Sequence, residues 1–166
     1  MNCKPLPYFL LLHIFFVAAS LSAADIKVDT VADEYCEETD ETCSLREAIE
    51  AANTNAAVCG CPAGEAEPVF DNIPLPAGIY ELSRGSGAAD TNAYNDLDIA
   101  SSLNILGPDT GYAVVSGRGL MRVFEIHSGT VMFSQLAIQY GLASPENGGG
   151  ILVRGGIFTG RRITLT

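Results

Sequence analysis

At 166 residues the chain is long enough for one domain with a sizeable core, and 20 Asp and Glu against 9 Lys and Arg give it a net charge of −11. Such an acidic excess repels phosphate backbones and anionic lipid surfaces, which argues against nucleic acid as a partner and is compatible with calcium, neutral sugars or simple solubility. Glycine is frequent, tryptophan is absent and the strand-like runs are many and short, so the composition points to an all-β body and not a helix bundle.

Residues 1–24 have the three parts of a secretory signal peptide: Lys4, an apolar run from Tyr8 to Val17, and the small residues Ser22, Ala23 and Ala24 before Asp25. The apolar run is too short for a comfortable membrane span and no later stretch is long enough, so an exported chain beginning at Asp25 with no integral membrane span is expected. Loss of Lys4 leaves eight basic against twenty acidic residues. Cys3 leaves with the signal, and Cys36, Cys43, Cys59 and Cys61 remain as an even set. In an oxidising space these form a disulfide framework with three possible connectivities. Their spacing lacks the usual zinc-knuckle pattern. Cys59 and Cys61 lie too close to bridge each other easily. Cys43 with Cys61 and Cys36 with Cys59 is the favoured pairing, and the crossed alternative also ties both ends of the intervening helix to the loop after it.

That helix is the clearest local signal. In the stretch from Cys43 to Asn53, Ser44 and Glu47 form a capping box, the hydroxyl accepting from one backbone N–H and the carboxylate from the other. Leu45, Ala48, Ile49 and Ala52 then make one narrow apolar stripe, Arg46 and Glu50 can pair on the other side, and Asn53 is a plausible stop. A helix only about 15 Å long is marginal alone in water. It is expected either to be a lid on something already built or to be an ordinary helix of a mixed domain. Residues 25–68 are assigned to this N-terminal cap, with Ser44, Leu45, Arg46, Glu47, Ala48 and Ile49 as its structural residues.

Residues 69–166 form the body. Pro74 and Pro76 mark an irregular entry, Ile79 to Leu82 a short strand, and residues 83–95 a polar loop. The run from Asp90 to Asp98 offers several side-chain oxygens to a hard cation, but it lacks the glycine and terminal glutamate of an EF-hand, so a solvated turn is favoured and no metal site is assigned. From Leu97 onward the chain repeats. Ile99, Ile126 and Val153 are each 27 residues apart, and Leu97, Phe124 and Ile151 precede them by two. Val131 and Phe158 stay in step, as do Ile138 and Leu165, while Leu103 and Ile105 slip slightly against Val131 and Phe133. Short strands at this period, separated by Gly or Asn turns, predict a parallel β-helix, a solenoid whose stacked turns share one core. A β-sandwich with chance spacing is the alternative. The exposed first turn of a solenoid gives the helix its task as a lid. The chain stops on a strand with no comparable cap, which suggests the front part of a longer chain.

The run CSLREAIEAAN, then Gly60-Cys61-Pro62-Ala63-Gly64, Pro76-Ala77-Gly78-Ile79-Tyr80-Glu81-Leu82, Asp96-Leu97-Asp98-Ile99, Arg122-Val123-Phe124 and Gly148-Gly149-Gly150-Ile151 resembles the CSLREA-domain exported bacterial proteins in content and order. The resemblance implies a right-handed parallel β-helix of the pectin-lyase-like kind and a secreted or outer cell-surface destination. It implies no single enzyme activity and no cofactor.

Such folds include polysaccharide lyases and glycoside hydrolases, which need converging carboxylates or a base beside a cation. His127 is the only histidine after the signal and has no triad partner in sequence; Arg122 can pair with Glu125; Arg118, Arg154, Arg161 and Arg162 lie on or near the repeats. No nucleophile-elbow, zincin or P-loop pattern is present. No catalytic residue is assigned. The expectation is a non-catalytic β-helix protein that binds extracellular polysaccharide or a cell-surface component. A lyase or hydrolase with its catalytic turns further along the chain, and a structural spacer, are the alternatives.

Overall fold

The structure is a computed structural model and describes residues 23–37, 41–85, 91–144 and 147–166. The expected signal peptide, apart from residues 23 and 24, lies outside the described residues. The described chain is mostly parallel β-sheet with one short helix, α1 (Leu45–Thr54). Its strands are β1 (Asp71–Pro74), β2 (Gly78–Glu81), β3 (Leu97–Ile99), β4 (Leu103–Leu106), β5 (Ala113–Ser116), β6 (Phe124–Ile126), β7 (Thr130–Ser134), β8 (Leu136–Gln139), β9 (Ile151–Val153), β10 (Ile157–Arg161) and β11 (Thr164–Leu165). No described helix is long and apolar enough to cross a membrane.

Consecutive strands fall in different sheets, and each strand pairs in parallel with the one three places further on. This gives sheets ordered β1-β4-β7-β10, β2-β5-β8-β11 and β3-β6-β9. The register follows the sequence repeat. Leu97, Phe124 and Ile151 are neighbours across the third sheet, and so are Ile99, Ile126 and Val153. Leu103, Val131 and Phe158 form a row in the first sheet. Alternate residues on each strand turn inward, and Ile73, Ile105, Phe133, Val115 and Ile126 lose all contact with water in one cluster that also takes in Ile26, Val28 and the apolar face of α1. The rings of Phe124, Phe133 and the partly buried Phe158 meet in sequence, the first pair tilted and the second edge to face, with centroids 4.7 and 5.1 Å apart.

The slip between the first repeat and the later ones has a local cause. Counted between register rows, Ile126 to Val131 and Val153 to Phe158 each take one residue more than Ile99 to Leu103, and each passes a glycine in the left-handed region, Gly129 (φ +84°) and Gly156 (φ +81°). A Cβ on Gly129 would meet the Ser101 carbonyl oxygen at 2.4 Å and one on Gly156 would meet that of Gly129 at 2.2 Å, so these turns stack only because both are glycine. Two strands depart from the sequence reading. The entry around Pro74 is itself the strand β1, which receives the segment before it: the Asn72 N–H donates to the Ala24 carbonyl, and the Ile26 N–H to the Asn72 carbonyl. β5 carries no signal in the 27-residue period because its register partners lie 35 residues before it in β2 and 23 after it in β8.

Candidate functional site

The capping box of α1 forms as expected: Ser44 Oγ accepts from the Glu47 N–H at 3.3 Å and Glu47 Oε2 accepts from the Ser44 N–H at 3.0 Å. The other Glu47 oxygen accepts from the Cys36 N–H at 2.7 Å, so this buried carboxylate also holds the preceding segment. Leu45, Ala48, Ile49 and Ala52 are buried, as is Ala51, and α1 packs on β1 and β3. The helix runs one residue past Asn53 and ends at Asn55 in the left-handed conformation. The Asn53 side chain does a different job: its amide donates to the Asp98 carbonyl at 2.8 Å, and its oxygen accepts from the Ala100 N–H at 2.8 Å. Cys36 is bonded to Cys59 and Cys43 to Cys61, with Cα separations of 5.2 and 4.7 Å. Sulfurs of Cys36 and Cys59 lie near a Glu47 oxygen in a grouping that resembles a metal ligand set. The two sulfurs are joined to each other, however, and both carboxylate oxygens already accept from backbone.

Arg46 corrects the sequence reading. It does not pair with Glu50 on a solvated face; it is 1% exposed. Its guanidinium forks onto Asp33, with Nε to Oδ1 at 2.6 Å and Nη2 to Oδ2 at 3.2 Å, and donates to the carbonyls of Asn92, Asn95 and Asp96 at 3.0, 2.9 and 3.3 Å. All five N–H groups are thus used. The loop that the sequence offered to a hard cation or to solvent gathers its carbonyls around an arginine instead; Asp90 of that run lies outside the described residues. Glu50 accepts from Asn92, whose amide also bonds both backbone groups of Asp98.

A second cluster lies on the outward face of the sheet β3-β6-β9. Asp98 and Glu125 are register neighbours, an unfavourable like-charge pairing unless cations stand between them. Arg122 and Arg154 both contact Glu125, Arg122 also reaches Asp96 at 3.1 Å, and His127 Nε2 lies 2.9 Å from Asp98 Oδ1. Burial by itself raises the Glu125 carboxyl, but the Arg154 hydrogen bond and the charges of Arg122, Arg154 and His127 together outweigh it and hold the group below the ordinary carboxylate range. A carboxylate held ionised in this way is a structural counter-ion and a poor general acid.

The sign of the resulting pH dependence follows. The folded state depresses the Glu125 pKa, so its stabilisation is present above the unfolded value of about 4.3 and is lost as pH falls through the lower folded value. Asp71 acts in the opposite sense: burial, joined by the nearby Glu65 and Glu67 charges, raises its carboxyl although the Glu65 N–H donates to it. The difference between wild type and Glu125→Gln isolates the first effect. The variant is expected to be about 3 kcal/mol less stable at pH 7, with the gap closing in acid; urea denaturation across pH checks it, and a gap independent of pH removes the ion-pair account.

The outward face of β2-β5-β8-β11 is different in kind. Ile79, Val114, Ala137 and Thr164 form one outward row, while the inward residues beside it in β5 and β8, Ala113, Val115, Leu136 and Ile138, are buried. Two linked grooves of about 400 and 630 Å³ share Ile79, Glu81 and Arg118 at the C-terminal ends of these strands. A third of about 230 Å³ opens at their N-terminal ends beside Tyr112 and Arg162. Tyr112 is 82% and Tyr140, in the first of the linked grooves, 64% exposed. Sequence reasoning passed over this face because its lining comes from turns of three successive repeats, which no spacing rule brings together. No family model, curated protein or solved structure matches this chain.

Proposed function

We propose that the chain is an exported, non-catalytic protein of the CSLREA type, its three sheets the faces of a right-handed parallel β-helix closed at one end by α1, and that it binds extended polysaccharide outside the cell or at its surface. The observation that carries the binding reading is the grooved outward face of β2-β5-β8-β11, with Tyr112 and Tyr140 standing largely in water. Large exposed aromatic rings have no packing purpose, and a ring flanked by polar groups is what a sugar face requires. The open, shallow form of the grooves suits a polymer lying across the sheet better than a small molecule enclosed in a cavity. The two disulfides fit an oxidising destination.

The lyase or hydrolase reading draws little from the carboxylates of β3-β6-β9, because Asp96, Asp98 and Glu125 already face Arg122, Arg154 and His127. A pull-down of the disulfide-bonded protein on a panel of insoluble polysaccharides tests the proposal. Retention on at least one polymer, released by the matching soluble fragment, is expected; retention on none overturns it.

A further inference from the structure

The two ends of the β2-β5-β8-β11 face carry the same four kinds of side chain. At the N-terminal ends of β5, β8 and β11 the groove is lined by Tyr112, Arg162, Asp109 and Gln135; at the C-terminal ends of β2, β5 and β8 it is lined by Tyr140, Arg118, Glu81 and Gln139. Arg118, Arg161 and Arg162 make no ion pair with any described residue, and of these Arg118 and Arg162 line the grooves, whereas Arg46, Arg84, Arg122 and Arg154 are all paired with carboxylates. From this duplication we infer that the face holds two like subsites for a neutral polysaccharide, one strand length apart, which a single polymer chain occupies together. The inference rests on the polysaccharide-binding reading above and specifies its ligand.

The chemistry of each subsite sets the class. A tyrosine ring offers an apolar platform to the C–H face of a pyranose. A guanidinium donates to hydroxyl oxygens, a carboxylate accepts from hydroxyl protons, and the glutamine amide can do both. Each groove brings one cation and one anion, so it has no net charge with which to select a charged sugar. The chain as a whole carries −11, which disfavours a polyuronate or a sulfated glycan at long range. The four-residue strands between the grooves set the subsites about 13 Å apart. Occupation of one subsite then presents the polymer to the other at high effective concentration, and avidity exceeds the affinity of either alone by about 10² or more.

The test compares the disulfide-bonded protein with Tyr112→Ala and Tyr140→Ala. Both residues are exposed, so neither change removes core packing. Binding is measured to soluble neutral β-glucan and galactomannan, to their disaccharides, and to alginate and heparin as carboxylated and sulfated probes. The expected result is binding to a neutral polymer about 10²-fold tighter than to its disaccharide, little changed by salt, and lowered to the disaccharide level by either substitution. Tighter binding to alginate or heparin, falling as salt rises, overturns the neutral class while leaving polymer binding in place. If one substitution leaves polymer affinity unchanged, the pairing of subsites is overturned. Failure to bind any of the polymers overturns this inference and the binding reading together.

Discussion

Replacing Arg46 by alanine is expected to lower the unfolding free energy by about 4 kcal/mol, the range for breaking a buried ion pair by removing one partner. Asp33, whose side chain is 3% exposed, keeps its bonds from the Ser83 and Arg84 N–H groups but loses its guanidinium partner. Three carbonyls of the 92–96 turn lose their donor at the same moment. Lysine brings the charge but only three donors, without the planar fork that fits Asp33, so Arg46→Lys is expected to cost about half as much. Urea denaturation of the oxidised protein gives the total, and amide exchange in residues 91–99 localises it. A loss below about 1 kcal/mol for the alanine variant, within the range of an exposed ion pair, removes the guanidinium from its place as the main fastening of the helix.

The second large effect is expected at Phe133. Its ring stands between those of Phe124 and Phe158 with no exposure to solvent, and Phe133→Ala opens a cavity that neighbours on rigid parallel strands cannot collapse to fill. A loss of about 3–5 kcal/mol is expected. Phe133→Leu retains most of the volume and is expected to lose about 1.5 kcal/mol. Ile157→Ala, at a residue 62% exposed one turn away, provides the control and is expected to stay within about 0.5 kcal/mol. Denaturation midpoints check all three. Equal losses at Phe133 and Ile157 would mean that the row of three rings does not bear on stability.

What sequence reveals about this chain depends on how local the cause is. Ser44 and Glu47 are legible because both halves of the capping box lie within one helical turn. The rows through Ile99, Ile126 and Val153 are legible because a repeated inward residue recurs at a constant interval whatever the loops do between. Arg46 is misread for the opposite reason. Helical periodicity places a cation beside Glu50 and says nothing of a turn 46 to 50 residues further on that turns its carbonyls toward it. Asn53 reads as a stop because asparagine favours helix ends, while its side chain bonds Asp98 and Ala100, again across a long separation. β5 is missed because four residues, Ala113 to Ser116, outside the dominant interval give no periodicity to detect.

The long reach of Arg46 also bears on the order in which the molecule is completed. The helix leaves the ribosome before any strand of the three sheets, yet the groups that receive its guanidinium and its Asn53 amide belong to the turn before β3 and to β3 itself. Closing that loop has an entropic cost that no contact offsets until the later segment has taken shape. The helix therefore docks only after the strands beneath it are laid down, and until then its apolar stripe stays open to solvent or to a chaperone.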